Sequence, residues 1–321
     1  MALTLHPPID RTFDRTFDEI EAATRREFIV GGASLALLLA ACGGGDSDDS
    51  SGGEDTEATR SVDSSDGTVE VPAEPRRVAA LVGSADIDVM LLGIEPVFSG
   101  TFAEGWVELP EGIATSDTTP PPIEVVANAR PDLLIGWDWL AEEPGFDELS
   151  DIAPMVTLPS DDDWRRHFAL VADAVNRASE GEEALTAFDE RCEALRARIT
   201  EAGPFRVALV GTFEPGAFWW WEASYPACAH LASVGFEIVG PDATLEGVSA
   251  ERITEVDADW IIFTGTPGTD DGTDDLFANP LWATLPAVQA DQVKVVDRAL
   301  WGGAGLMWAN ALLDDIERLF L

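Results

Sequence analysis

The sequence predicts an α/β fold in which two similar lobes are joined by one long, rigid helix, with a cleft between the lobes. Apolar residues at alternating spacings of three and four in 181–202 predict a single amphipathic helix, roughly 33 Å long at 1.5 Å per residue. The segments before and after this helix repeat one another. In both halves, short apolar runs alternate with helical patterns, which favours parallel sheets covered on both faces.

Residues 1–42 are predicted to be a twin-arginine lipoprotein signal peptide. Arg25 and Arg26 match the twin-arginine export pattern, and the apolar run 28–41 is shorter than a membrane span but typical of a signal core. The run ends at Cys42 in a lipobox-like sequence, whose thiol would take the lipid. More than one acyl chain gives stable anchoring. We therefore expect an extracytoplasmic protein, lipid-anchored to the outer face of the cytoplasmic membrane; an uncleaved membrane anchor is the alternative.

The next segment, 43–67, is rich in Gly, Ser and acidic residues, which predicts a flexible acidic tether. Acidity also dominates the whole chain, with a formal net charge of −41 and 60 acidic against 19 basic residues. Nucleic acid and anionic membrane surfaces need a basic patch, so both are excluded as partners. The acidic residues are otherwise expected to form a solvated surface.

The N-terminal lobe is predicted over 68–180. Its apolar runs are bounded by turn residues, and helical patterns separate them. The expected order is strand 77–83, helix 84–92, strand 96–99, helix 123–129, strand 132–136 and helix 164–178.

The linking helix is predicted over 181–203, where Gly203 and Pro204 end it. It carries Cys192, and Cys228 lies early in the next lobe. A disulfide between them is compatible with an exported protein, but two buried free thiols fit equally well.

The C-terminal lobe, 204–321, repeats the first. Arg77–Gly83 corresponds to Arg206–Gly211, and in each lobe a glutamate precedes an aspartate by eight residues, Glu124 before Asp132 and Glu251 before Asp259. A period above 100 residues is too long for a solenoid and indicates a duplicated domain. The expected order is strand 206–211, aromatic segment 218–221, helix 225–234, strand 236–239, helix 250–256, strand 260–264, helix 280–289, strand 292–296 and helix 304–321.

Several stretches resemble the substrate-binding proteins of ABC importers for iron–siderophore complexes and cobalamin. They are 69–81, 123–136, 149–156, 248–263 and 279–297. The resemblance implies two Rossmann-like lobes bridged by one helix, a cleft for one bulky ligand, little hinge motion and docking onto an ABC transporter permease. We also expect a monomer that needs no cofactor.

The resemblance also assigns Glu124 and Glu251 to permease docking, because in that family each lobe offers an acidic residue to permease arginines. One carboxylate at the same place on each lobe would form a two-point clamp for bidentate arginines. The alternative is that each glutamate only interacts favourably with a helix N-terminus.

Ligands of such sheets bind outside the carboxyl ends of the strands. The chain has 11 tryptophans, and several fall at these turns. Aromatic residues at a cleft mouth are typical of a large, flat or apolar ligand. The predicted ligand-binding residues are Ser84, Trp137, Trp139, Trp219, Trp221, Tyr225, Arg298 and Trp301.

The residue types constrain the cargo. Bare iron needs several Tyr or His ligands and zinc a His-rich cluster, but the chain has one Tyr, and only His167 and His230 remain after the signal. We therefore predict no metal site in the protein and an iron complex whose chelator supplies the oxygens. A catecholate would need an arginine cluster, yet only Arg298 falls in the cleft, which favours a neutral or cationic hydroxamate chelate. Cobalamin and haem are the alternatives within the family.

Catalytic motifs are missing from the sequence. It contains no G-x-S-x-G, no H-E-x-x-H and no phosphate-binding Walker loop. Acid pairs such as Asp86 with Asp88 are expected by chance in so acidic a chain. We therefore predict a binding protein rather than an enzyme, with a structural or adhesive surface lipoprotein as the alternative from another class.

Overall fold

A computed structural model describes residues 58–81, 84–100, 109–116, 118, 120–143, 145–160, 163–303 and 305–321. Within these ranges the chain forms an N-terminal hairpin, two separate mixed α/β units and one long helix between them. The predicted signal peptide, including Arg25, Arg26 and Cys42, lies outside the described residues.

The N-terminal hairpin consists of β1 (Thr59–Ser64) and β2 (Gly67–Pro72), which pair antiparallel. It packs on the N-terminal lobe, where the Ser65 amide donates to the Thr157 carbonyl at 3.0 Å. The prediction of a flexible tether over 43–67 is therefore wrong for its last part, 59–67. The local composition is polar, but Val62 is buried and the hairpin obtains its partners from distant parts of the lobe.

The N-terminal lobe contains one parallel sheet, in the spatial order β5-β4-β3-β6-β7. Its central strands are short and buried except at Trp137, the last residue of β6, as expected for strands covered on both faces. The elements in chain order are β3 (Val78–Ala80), α1 (Ala85–Leu91), β4 (Phe98–Gly100), β5 (Ala114–Ser116), α2 (Ile123–Ala129), β6 (Leu133–Trp137), a 3-10 helix (Asp138–Glu142), α3 (Phe146–Ser150), β7 (Met155–Leu158) and α4 (Trp164–Ala174).

The linking helix is α5 (Ala178–Ala202). It begins three residues before the predicted helical segment 181–202 and ends at Ala202, directly before Gly203 and Pro204. Phe188, Cys192, Leu195 and Ile199 are buried, as the spacing predicts. Gly181 is buried as well, because α5 and α4 approach closely there: a methyl group on Gly181 would lie 2.6 Å from the Ala172 Cβ.

The C-terminal lobe contains a sheet of order β11-β9-β8-β12-β13, with β10 also paired to β8. Strands β8, β10, β12 and β13 are parallel. The elements in chain order are β8 (Arg206–Gly211), β9 (Ala217–Trp220), α6 (Pro226–Ser233), β10 (Glu237–Ile238), β11 (Leu245–Ser249), a 3-10 helix (Ala250–Glu255), β12 (Trp260–Phe263), α7 (Thr273–Ala278), a 3-10 helix (Trp282–Thr284), α8 (Pro286–Gln289), β13 (Val293–Val295), α9 (Arg298–Trp301) and α10 (Leu306–Phe320).

The aromatic segment after β8 differs from the parallel arrangement expected for the sheet. It forms β9, which runs antiparallel to β8. Only a short turn separates the two strands, with Gly216 in the left-handed region at φ 77°. A crossover between parallel strands needs a dozen or more residues. A connection as short as this one can therefore only join two antiparallel strands.

The internal repeat corresponds to equivalent contacts in the two lobes. The Asp132 amide donates to the Arg77 carbonyl at 2.9 Å, and the Asp259 amide donates to the Arg206 carbonyl at 3.1 Å. Each arginine also donates to a backbone carbonyl just before the aspartate, Arg77 to Arg130 and Arg206 to Asp257. The repeated arginine and aspartate therefore join neighbouring strands at the amino edge of each sheet.

The two lobes meet through helices. Trp164 on α4 and Phe188 on α5 both contact His230 on α6, with ring centroids 5.5 and 5.9 Å away. Helix α1 also lies against α10, where a methyl group on Gly305 would be 3.7 Å from the Asp88 Oδ1. Within the described part of the chain, none of the helices has the length and apolarity that a membrane span requires.

Candidate ligand site

A polar centre lies at the carboxyl edge of the C-terminal sheet. Arg298, the first residue of α9, donates from Nε to the Thr264 carbonyl at 2.8 Å and from Nη2 to the Thr212 carbonyl at 2.5 Å. Thr212 follows β8 and Thr264 follows β12, so this one side chain joins the ends of two adjacent strands. Nη2 also contacts Asp271 Oδ2 at 2.6 Å.

Two threonine hydroxyls lie beside this centre. The hydroxyls of Thr212 and Thr273 are 2.8 Å apart, and both residues are buried. The Thr264 Oγ1 is also buried, and it has no hydrogen-bond partner among the described residues.

An aromatic group covers the polar centre. The Phe213 ring lies 4.3 Å from the Arg298 Cζ and 4.7 Å from the Trp219 centroid. Trp219 is in turn 6.3 Å from Trp221, and Trp221 is 5.5 Å from Tyr225. Phe213 is 44% exposed, which is high for a phenylalanine, and Trp219 is half-buried. Together these rings form an apolar surface able to take a flat or bulky ligand.

Four predicted residues are thus brought together, namely Trp219, Trp221, Tyr225 and Arg298. The role of Trp221 needs correction, however, because it is only 5% exposed. Its ring packs over Gly211, where a methyl group would lie 2.8 Å away. Trp221 is therefore a buried neighbour of the Trp219 ring rather than a ligand-facing residue. Ligand contact by Trp219, Tyr225 and Arg298 stays a prediction.

Tyr225 precedes α6 and borders the same surface. Burial raises the pKa of its phenol, with a further contribution from Cys228. The hydroxyl therefore stays protonated at neutral pH and can donate a hydrogen bond.

The three predicted residues of the N-terminal lobe lie on separate elements. Ser84 caps α1 without a side-chain hydrogen bond to the helix. Trp137, at the end of β6, contacts His167 edge-on at 4.9 Å between centroids. Trp139 follows in the 3-10 helix and is 37% exposed. None of the described contacts joins these residues to the aromatic group of the C-terminal lobe, and their ligand role stays a prediction.

The prediction that Trp301 lines the cleft is wrong. Trp301 is 1% exposed, and its indole nitrogen donates to Asp315 Oδ2 at 2.8 Å. The other carboxylate oxygen of Asp315 accepts from Arg318 Nε at 3.0 Å. Trp301 ends α9 and Asp315 lies on α10, so the buried Trp301 ring packs between these two helices.

Phe213 and Asp271 are site residues that the sequence analysis missed. The repeat aligns Gly211 with Gly83, and Phe213 lies one position beyond the residue that corresponds to Ser84. This position after the first strand is the sequence signal that points to Phe213. Asp271 had no comparable signal, since it is one acid among 60 and is far from Arg298 in sequence.

The acid pair Asp86 and Asp88 is buried on α1 rather than solvated. Burial raises the pKa of Asp86 to about 6, although hydrogen bonds from the Ser99 hydroxyl and the Ile87 amide oppose this shift. Burial also raises the pKa of Asp88 well above its usual value, and the Asp86 charge adds to the effect. The pair lies at the lobe junction, where a methyl group on Gly305 would be 3.7 Å from the Asp88 Oδ1.

The two glutamates predicted to dock the permease occupy equivalent places. Glu124 lies in the first turn of α2, and Glu251 lies in the first turn of the 3-10 helix Ala250–Glu255. Both are exposed. Each of these helices precedes a parallel strand of its sheet, β6 or β12, so both glutamates lie at the carboxyl edge of a lobe.

A metal site is not found among the described residues, where no group of three or more His, Cys, Asp or Glu side chains could hold an ion. Cys192 and Cys228 are both buried free thiols. Of the two alternatives that the sequence leaves open, a disulfide or two free thiols, the structure therefore has the second.

A family model described as a periplasmic binding protein matches residues 78–300. The chain is 29% identical over 288 residues to a probable siderophore-binding lipoprotein of Bacillus subtilis, YfiY, covering 82% of this chain and 88% of that protein.

Two solved structures have a similar fold. Staphylococcus aureus SirA, complexed with staphyloferrin B, matches with a TM-score of 0.67 and 23% identity over 81% of this chain and 98% of that chain. A FhuD fold-family component of a Fep/Fec-like ferrichrome ABC transporter from Bacillus subtilis matches with a TM-score of 0.69 and 19% identity, over 80% and 98%. The family model covers more than half of the chain, and the two lobes with their connecting helix agree with these folds. The chain therefore belongs to the periplasmic binding protein family.

Proposed function

We propose that this protein captures a ferric siderophore, of the hydroxamate type, outside the cytoplasmic membrane and delivers it to an ABC permease. The observation that carries the proposal is the aromatic surface of Phe213, Trp219 and Tyr225 at the carboxyl edge of the C-terminal sheet, next to a single paired arginine. Three hydroxamates carry one negative charge each and cancel the charge of Fe³⁺. Such a complex needs apolar contact and a few hydrogen bonds rather than a basic cluster.

The comparisons support a siderophore as the ligand, and one of them supports the hydroxamate type. YfiY is named as a siderophore-binding lipoprotein, and the similar structures include a siderophore complex and a ferrichrome transporter component. In the described part of the chain no cluster suits bare iron or zinc. The metal would therefore arrive with its own oxygen ligands, and the protein would act as a carrier rather than an enzyme.

Membrane attachment forms a second part of the proposal. Export through the twin-arginine signal at Arg25 and Arg26, followed by lipidation of Cys42, would anchor a monomer outside the cytoplasmic membrane. The tether would end before the hairpin, because β1 begins at Thr59. Cys42→Ala should release the protein or leave its precursor unprocessed, and normal lipidation of this variant would contradict the assignment.

Docking is proposed at Glu124 and Glu251, the two exposed glutamates at the carboxyl edges of the lobes. Glu124→Lys combined with Glu251→Lys should abolish uptake of the ferric complex while leaving its affinity for the purified protein intact. Glu183→Lys with Glu190→Lys on the exposed face of α5 is the matched control, since it makes the same change in net charge. Unchanged uptake by the docking variant would remove this assignment.

The ligand class is tested by titrating tryptophan fluorescence of residues 58–321 with four probes: ferrichrome, a ferric catecholate, haem and cobalamin. Saturable quenching by ferrichrome at micromolar or lower concentration is expected. Quenching by haem alone or by cobalamin alone would identify that compound, rather than a siderophore, as the cargo. If none of the probes quenches and none raises the melting temperature, the proposed function fails and a structural or adhesive role takes its place.

A further inference from the structure

The arginine of the candidate site does not present a free positive charge. Its Nη2 is 2.6 Å from the Asp271 Oδ2 and 2.5 Å from the Thr212 carbonyl, and its Nε donates to the Thr264 carbonyl. The Phe213 ring covers one face of the guanidinium. The carboxylate of Asp271 is mostly buried, with 12% of the side chain exposed, whereas 32% of the Arg298 side chain is exposed.

Asp271 is held in place by its own loop. Its Oδ2 accepts from the Thr266 amide at 2.9 Å and its Oδ1 accepts from the Thr273 amide at 3.0 Å. Burial would raise the pKa of this carboxyl, but hydrogen bonds from Thr273, Thr266 and Arg298 outweigh burial and lower it. The carboxylate is therefore ionised at neutral pH, in a position fixed before any ligand arrives.

A charge fixed this close to Arg298 changes what the site can select. An anion placed against the guanidinium would be attracted by Arg298 and repelled at short range by Asp271. The two charges nearly cancel, and the anion experiences only the weaker field of a dipole. Without Asp271, the same arginine would favour anionic chelates, as guanidinium groups do for carboxylates. Specificity then comes from the repulsive element as much as from the attractive one.

We propose that Asp271 is a specificity-determining residue, which neutralises Arg298 at the site and makes the protein prefer neutral chelates to anionic ones. This inference rests on the proposed function, and it adds the charge class of the ligand and the residue that sets it.

The test compares Asp271→Asn with Asp270→Asn. Both variants change the formal charge equally, but Asp270 is exposed and lies next to Asp271 in sequence. Affinities for ferrichrome, which is neutral, and for ferric staphyloferrin B, a carboxylate chelate, are measured by calorimetry. For Asp271→Asn, the affinity for ferric staphyloferrin B divided by the affinity for ferrichrome is expected to rise about tenfold. This is the same free-energy change as a shift of one pKa unit. Asp270→Asn is expected to leave the ratio as in wild type.

Salt provides a further check, since the gain for the anionic chelate should shrink between 0.05 and 0.5 M NaCl as charges are screened. An unchanged ratio in folded Asp271→Asn, or an equal change in Asp270→Asn, would overturn the inference. Failure of wild type to bind any of the probes would instead overturn the proposed function.

Arg298→Gln covers the case in which Asp271→Asn fails to fold. Removing the arginine leaves Asp271 uncompensated, so the preference should shift from neutral ferrichrome to the cationic hydroxamate ferrioxamine B by about tenfold in affinity ratio. An unchanged ratio in this variant would show that the pair does not control charge preference, and it would also overturn the inference.

Discussion

At the scale of single residues, identical side chains have opposite roles in this protein. Trp219 lies in strand β9 and Trp301 ends helix α9 of the C-terminal lobe, and the sequence predicts that both face the cleft. Trp219 is half-buried beside Phe213, whereas Trp301 is buried with its nitrogen bound to Asp315. The difference lies in what packs against each ring.

Substituting the two tryptophans should separate stability from binding. Trp301→Phe should lower the free energy of unfolding by about 1–3 kcal/mol, because buried Asp315 loses a hydrogen-bond donor. Trp219→Ala should weaken ferrichrome binding at least tenfold with a smaller loss of stability, because its ring is partly exposed. Urea unfolding and calorimetric titration measure the two effects. Weaker binding by Trp301→Phe than by Trp219→Ala would contradict the burial of Trp301.

His230 gives the stability of the protein a pH dependence. Burial, assisted by Arg165, lowers the pKa of its imidazole to about 4 from 6.5. As the pH falls from 6.5 to 4, the unfolded chain takes up this proton and the folded chain does not. The contribution of neutral His230 to stability is therefore complete above pH 6.5 and is lost towards pH 4.

Comparison of wild type with His230→Gln isolates this effect. The stability of wild type relative to the variant should fall by about 1 kcal/mol per pH unit from pH 6.5 to 4, as measured by urea unfolding. Asp86 acts in the opposite direction, since its raised pKa of about 6 favours the folded state as the pH falls. Both proteins retain Asp86, so its effect cancels in the difference. A difference that is constant with pH would exclude the lowered pKa.

At the scale of elements, the helix pair α4 and α5 depends on one glycine. The sequence pattern identified the buried face of α5 from Phe188 onwards, because side chains three and four residues apart share a helix face. It did not identify Gly181 as a contact, since a glycine has no side chain to contribute to the pattern. Its importance comes from Ala172 on the facing helix.

Gly181→Ala should lower the free energy of unfolding by about 1–3 kcal/mol, although alanine is the better helix former. The added methyl would lie 2.6 Å from the Ala172 Cβ, so the helices must separate. Adding Ala172→Gly should restore part of the loss, and Glu183→Ala on the exposed face of α5 is the control. Thermal unfolding measures all of these variants. If the double variant is less stable than Gly181→Ala alone, steric contact is not the cause.

At the scale of the whole molecule, charge opposes compactness. The net charge of −41 is spread over a chain of 321 residues, and a large net charge destabilises a folded protein through self-repulsion. The Debye length falls from about 10 Å at 0.1 M salt to about 3 Å at 1 M. Salt should therefore weaken repulsion between carboxylates more than it weakens short ion pairs.

The melting temperature should rise between 0.05 and 1 M NaCl, by several degrees in a scanning calorimeter, since about 1 kcal/mol corresponds to 2–4 °C for a protein of this size class. Choline chloride at equal ionic strength should give the same rise if screening is the cause. A rise with NaCl alone would indicate specific sodium binding, and a fall would contradict dominant self-repulsion.

The sequence by itself determined the two α/β lobes, the long helix between them, most strand and helix positions, and the equivalent glutamates Glu124 and Glu251. Apolar spacing and turn residues are visible in neighbouring residues, and the internal repeat is visible when the two halves of the sequence are compared. The sequence does not predict the hairpin, because its polar strands are stabilised by contacts with the distant Thr157 and Asp173.

Tertiary structure alone decided how the candidate site is composed. In the folded chain, Asp271 and Phe213 contact Arg298, and Trp301 is buried in the core with its indole nitrogen bound to Asp315. These partners are far apart in the chain or follow from the packing of one helix on another. No local pattern encodes such distances, because they arise only when β8, β12 and α9 come together at one edge of the sheet.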